Sequence, residues 1–167
     1  MTEQDKGIEE VRVFEQFVRA AGLPIDIDTI RKCYPPKPDI RCRYHGGDWV
    51  YFELTELCDE NLAKREGLHH TTTSSPDRLW LTDPAERIVR KKLQKRYPVS
   101  VPIELLCYKR GRLAASDTDM VTLIRPLVAQ QPGPFVRVWF FGERLAQMLW
   151  SVNNAQASSA THQDTPP

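Results

Sequence analysis

Apolar residues recur at helical spacing from Ile8 to Ala21, at Ile8, Val11, Phe14, Phe17, Val18 and Ala21. Gly22 and Pro24 close that helix. Two aromatic-rich, alternating runs follow, Asp39 to Tyr44 and Trp49 to Leu57, and His45-Gly46-Gly47-Asp48 between them predicts a hairpin. The proline-rich Tyr34-Pro35-Pro36-Lys37-Pro38 reads as a rigid lead-in to the first strand. A short helix is expected over 59–66 and a loop over 68–82. Asp83-Pro84-Ala85-Glu86 has the signature of a helix start, with Asp83 as cap, and that helix is expected to reach Tyr97. Pro102 to Tyr108 reads as a buried strand and Asp117 to Gln131 as a helix containing Pro126. Phe135 to Phe141 and Leu145 to Trp150 read as a closing pair of strands. This alternation predicts an α/β fold, a mixed β-sheet flanked by helices.

Composition narrows the class. With 167 residues and 41% hydrophobic, the chain can bury a real core. Residues 1–150 are expected to form one domain, and 151–167 an unstructured tail. No apolar run approaches the ~20 residues of a membrane helix. The N-terminal MTEQDKGIEE is polar and acidic, unlike a secretory signal, so a cytoplasmic protein is expected. Cys33, Cys42, Cys58 and Cys107 have no metal-ligand spacing and read as reduced thiols. The net charge of +1 hides an asymmetry: residues 1–30 are acidic, whereas 83–112 carry nine bases against Asp83, Glu86 and Glu104.

Three acids stand where acids are expensive. On a wheel of about 100° per residue, Glu10 falls between Phe14 and Phe17, inside the apolar arc of the first helix. A buried carboxylate there must be paired, protonated or bound to a cation. Asp39 opens the first hairpin strand, and Glu53 lies in the second, sharing a face with Thr55, Trp49 and Tyr51, while Glu56 faces away. Their relation depends on the turn. A two-residue Gly46-Gly47 turn sets Asp39 opposite Leu54; a three-residue Gly46-Gly47-Asp48 loop sets Asp39 opposite Thr55 and Arg41 opposite Glu53.

Two sheet carboxylates joined by a third from a helix make a hard oxygen site, suited to Mg²⁺ or Mn²⁺. Phosphodiester hydrolysis is the chemistry that uses such a site. In these residues the chain resembles the PD-(D/E)XK, or restriction-endonuclease-like, nuclease superfamily. Pro38-Asp39 matches its Pro-Asp, Glu53-Leu54-Thr55 its Glu-x-Lys, and Glu10 its helix acid. The resemblance implies a core of helix, strand meander, helix and strand over residues 8–109. Within it, Asp39 and Glu53 would be metal ligands, and Glu10 and Thr55 the other members of the catalytic set. Thr55 stands in place of the lysine that positions and activates the attacking water, and threonine cannot carry a positive charge. By residue type, Lys37, Lys64 and Lys91 are substitutes.

Arg87, Arg90, Lys91 and Lys95 surround the apolar stripe of the second helix and are candidate phosphate contacts for DNA or RNA. His69-His70 and His45 read as exposed loop residues. Two functions are consistent with the sequence. One is a metal-dependent, phosphodiester-directed nuclease-like protein. The other is a binding subunit, either an inactive relative or an unrelated α/β protein, working with a protein partner or as a homo-oligomer.

Overall fold

A computed structural model of the chain describes residues 2–57, 79–110 and 115–153. The expected 59–66 helix, Cys58, Lys64, His69, His70, most of the 68–82 loop and nearly all of the expected tail lie outside them. Helix α1 (Glu3–Ala20) is followed by β1 (Ile25–Lys32), β2 (Ile40–Tyr44) and β3 (Trp49–Glu56). Then come α2 (Leu79–Gln94), β4 (Ile103–Tyr108), α3 (Asp117–Gln130), β5 (Arg137–Phe141) and β6 (Ala146–Ser151). All six strands join one sheet in the order of the sequence, β1 to β6. β3, β4 and β5 are mutually parallel; the other pairings are antiparallel. The expected α/β class with a mixed, helix-flanked sheet is therefore observed. Among the described residues no helix is long and apolar enough to cross a membrane.

Each face of the sheet has its own core. On one side Val13, Phe14, Phe17 and Val18 of α1 pack on Ile40, Phe52, Leu54, Leu106 and Trp139. Phe14 and Phe52 stand at a centroid distance of 4.7 Å. On the other side Val89 and Leu93 of α2, with Met120, Ile124 and Val128 of α3, cover Tyr51, Leu105, Cys107, Val138 and Phe140. That second core contains no residue of β1 or β2, so α2 and α3 sit over β3–β5. Cys33, Cys42 and Cys107 are free thiols.

Several expectations are corrected. Residues 25–32 form a strand absent from the expected elements, so the meander before α2 has three strands. A bulge between Asp26 and Arg31 breaks the alternation that signals a strand, leaving Ile27 exposed while Ile25 and Ile30 are buried. Helix α2 starts at Leu79, so Asp83 is not its cap and Pro84 lies inside it. Pro84 is the sixth residue of the helix and forgoes the hydrogen bond that its amide would make to the Trp80 carbonyl. Ile8 is 65% exposed, because it lies across α1 from Phe17. Ser151, the first residue of the expected tail, is buried in β6.

The hairpin register differs from both alternatives. The pairs run Ile40↔Phe52, Arg41↔Tyr51, Cys42↔Val50 and Arg43↔Trp49, with His45 to Asp48 as connection. The Gly47 amide donates to the Tyr44 carbonyl at 3.0 Å, and Gly46 adopts φ +66°, open to glycine at little cost. The ladder ends at Ile40↔Phe52, and Asp39 lies in the bend before it, so neither Leu54 nor Thr55 is its ladder partner.

Candidate active site

Asp39 sits in the bend that leads into β2. Its Oδ2 accepts the Leu54 amide of β3 at 2.8 Å, which ties the carboxylate across the strand gap. Its Oδ1 accepts from Lys32 Nζ at 3.3 Å. The same ammonium contacts Glu10 Oε2 at 2.6 Å, so one lysine of β1 joins the helix acid to the sheet acid. Burial works against the charge on Lys32, but the Glu10 hydrogen bond and the attraction of Asp39 and Glu10 outweigh it, and its pKa is raised. Glu10 is buried, as its place in the apolar arc of α1 requires.

Glu53 lies on the opposite side of β3, facing α2, and is 1% exposed. Its Oε1 accepts from Lys92 Nζ at 2.5 Å and from Lys95 Nζ at 3.1 Å. Its Oε2 is buried and has no hydrogen-bond partner, and neither has the buried hydroxyl of Tyr97. Burial first, then the charge of Glu53 and a hydrogen-bonding approach to it too poorly aligned to satisfy either group, push the Tyr97 phenol well above its ordinary pKa. Thr55, two residues along β3 from Glu53, is buried on the same face.

The arrangement is two ion-pair groups joined through one hydrogen bond to the backbone. Glu10, Lys32 and Asp39 form the first, on the α1 side; Glu53, Lys92 and Lys95 form the second, under α2. Among the described residues no three His, Cys, Asp or Glu side chains gather as a metal-holding group. Lys37 is exposed in the proline-rich segment, and Lys91 is exposed on α2. The cations that reach Glu53 are instead Lys95, one of the expected phosphate contacts, and Lys92. The same test that singles out Glu10 finds Lys92, since it falls between Ile88 and Val89 on the wheel, within an apolar arc. Lys32 carries no such signal, because the bulge hides its strand.

Of the four basic residues expected on phosphates, Lys95 is engaged with Glu53 and Arg90 donates to Glu86 at 2.8 Å, one turn away. Arg87 and Lys91 are exposed and line a shallow groove with Glu86, Arg90 and Gln94. No protein-family model matches the chain, and neither curated proteins nor solved structures yield a match.

Proposed function

We propose that the chain is a metal-dependent, phosphodiester-directed protein of restriction-endonuclease-like architecture, acting on DNA or RNA. The observation that carries this reading is the hydrogen bond from the Leu54 amide to Asp39, which holds that carboxylate against the residue next to Glu53, with a lysine on each acid. The order α1, three-stranded meander, α2 and β4 agrees with the superfamily's core. The acceptor open to a hard divalent cation is the buried Glu53 Oε2, since both Asp39 oxygens are engaged by Lys32 and the Leu54 amide, and Mg²⁺ keeps several of its waters. Asp39 and Glu53 would hold the ion, which when bound activates water and stabilises the leaving oxygen. Lys92 supplies at Glu53 the positive charge that Thr55 lacks. Glu10 fixes Lys32, and Lys32 fixes Asp39. Arg87 and Lys91 remain phosphate contacts on the outer face of α2.

A specific observation also supports the metal-free alternative, a binding subunit that joins a protein partner or a second copy. Both sheet carboxylates are already ion-paired with lysines, which neutralises them without a cation. Thermal melts separate the two readings. A ligand at one hundred times its Kd stabilises the folded state by about 2.7 kcal/mol, or roughly 5–10 °C for a domain of this size. Mg²⁺ or Mn²⁺ should raise the melting temperature on that scale, Asp39→Ala and Glu53→Gln should each remove the rise, and Glu56→Gln should retain it. An ion effect that persists in the Asp39→Ala/Glu53→Ala double variant rejects the metal site. With the ion effect intact, loss of oligonucleotide cleavage in Lys92→Met assigns the lysine's role to Lys92.

A further inference from the structure

The face of β1, β2 and β3 that looks toward α2 holds a second group of residues, outside the carboxylate site. Cross-strand partners share a face, and Arg31 stands directly opposite Arg41, which stands opposite Tyr51. In the next row along the strands, Arg43 stands opposite Trp49. Like charges directly opposed on a sheet are destabilising, yet Arg31 and Arg41 occupy such a pair.

None of these three arginines is neutralised by an acid among the described residues. Arg12, Arg19, Arg90 and Arg137 pair with Glu9, Glu15, Glu86 and Glu104 respectively. Arg31 instead donates to the backbone carbonyls of Asp28 and Ile30, both at 2.8 Å, and Arg43 donates to the Gly47 carbonyl at 2.8 Å. Arg41 lies over the Trp49 ring at 4.0 Å, and its Nε is buried with no hydrogen-bond partner. Asp26 is the ladder partner of Arg43, but no ion pair joins them. Each guanidinium is therefore oriented by a neutral group, a carbonyl or an indole, and keeps its full charge. Arg31 and Arg43 are exposed, and α2 and α3 leave this part of the sheet uncovered among the described residues.

The position relative to Glu53 gives the patch a direction. One step of two residues along a strand spans roughly 6.8 Å. Tyr51, the partner of Arg41, lies one such step along β3 from Glu53, and Trp49, the partner of Arg43, lies two steps, with Arg31 beside Arg41. We propose that Arg31, Arg41 and Arg43, with Trp49 as the platform for Arg41, form a track for the phosphates of a nucleic-acid strand that leads to Glu53. The choice of a nucleic acid rests on the phosphodiester reading of that site. Charge complementarity supports it, because guanidinium forks held in place match phosphate oxygens and release counterions when they bind.

Fluorescence anisotropy of a short labelled single-stranded DNA, titrated with the full chain between about 50 and 200 mM salt, tests the track. The Arg31→Gln/Arg41→Gln/Arg43→Gln variant should bind at least tenfold more weakly at the lower salt. Its slope of log affinity against log salt should shrink by about two, at about 0.7 for each phosphate of a single strand that is no longer neutralised. Trp49→Leu should reproduce part of that weakening with the charge unchanged. Glu53→Gln should still bind DNA, and the triple variant should still show the Mg²⁺-dependent rise in melting temperature. The two sites then fail separately. A folded triple variant with unchanged affinity and salt slope overturns the track even if the metal effect stands. Equal displacement of the DNA by poly-glutamate of matched charge also overturns it, since the occupant would then be any polyanion.

Discussion

Two fully buried glutamates, on adjacent strands and opposite faces of the sheet, have opposite surroundings. Glu104 of β4 is 1% exposed, as is Glu53 of β3. Around Glu104 every oxygen is used: Arg137 donates to Oε1 at 2.8 Å, Trp139 Nε1 to Oε2 at 2.6 Å, and the Tyr44 hydroxyl to both, at 3.1 and 3.3 Å. Around Glu53 both lysines converge on Oε1, while Oε2 and the nearby Tyr97 hydroxyl are left without partners. A saturated buried carboxylate has nothing left to offer a ligand and serves the fold. A half-satisfied one retains an acceptor, and an orphaned buried acceptor costs about 1–3 kcal/mol unless something binds it. Burial alone does not tell the two apart; the count of donors does.

The largest effect is expected at the saturated site. Glu104→Ala strands the buried indole of Trp139 and the Arg137 guanidinium, and should cost roughly 3–5 kcal/mol in urea unfolding. Glu53→Gln should cost less, about 1–2 kcal/mol, because Lys92 and Lys95 are partly exposed and can turn to water. If the two costs prove equal, the contrast between a structural and an available carboxylate is broken.

A smaller effect separates the sites by pH. Burial raises the pKa of Glu104 above the ordinary value of 4.5, in spite of hydrogen bonds from Trp139, Arg137 and Tyr44 that favour the charged form. The folded state therefore holds this proton more tightly than the unfolded chain, so the group's contribution to stability falls as pH rises from near 4.5 through the folded pKa. Urea midpoints measured across roughly pH 4 to 7 should flatten in Glu104→Gln. The smallest effect is expected for Tyr97→Phe. Removing a buried hydroxyl that has no partner should change stability by under ~1 kcal/mol or raise it slightly. A destabilisation of about 2 kcal/mol or more, on the scale of a satisfied buried group, would mean that Tyr97 is already paired.

What the sequence disclosed follows from how local each signal is. Phe14, Phe17 and Val18 mark α1 by spacing alone, and the glycines after Tyr44 mark the hairpin. Glu10 and Glu53 stand out because each interrupts an apolar pattern. Glu104 interrupts Ile103 to Tyr108 in the same way, but its partners Tyr44, Arg137 and Trp139 lie far along the chain, so nothing local separates it from Glu53. β1 is hidden because its bulge spoils the period and because Asp26 and Asp28 are poor strand formers. The position of Asp39 relative to β3 turns on a single residue of register, and the turn sequence permits several.

The sheet's strand order has a consequence for how the molecule assembles. Because each strand lies beside its neighbour in the chain, α1 and the β1–β3 meander contain their own nucleus of local contacts and can form early in synthesis. Glu10, Lys32 and Asp39 all belong to that first unit, so their ion pairs close within it. Glu53 belongs to it too, but its lysines arrive on α2, behind the whole of residues 57–78. Its burial is thus deferred to the docking of α2.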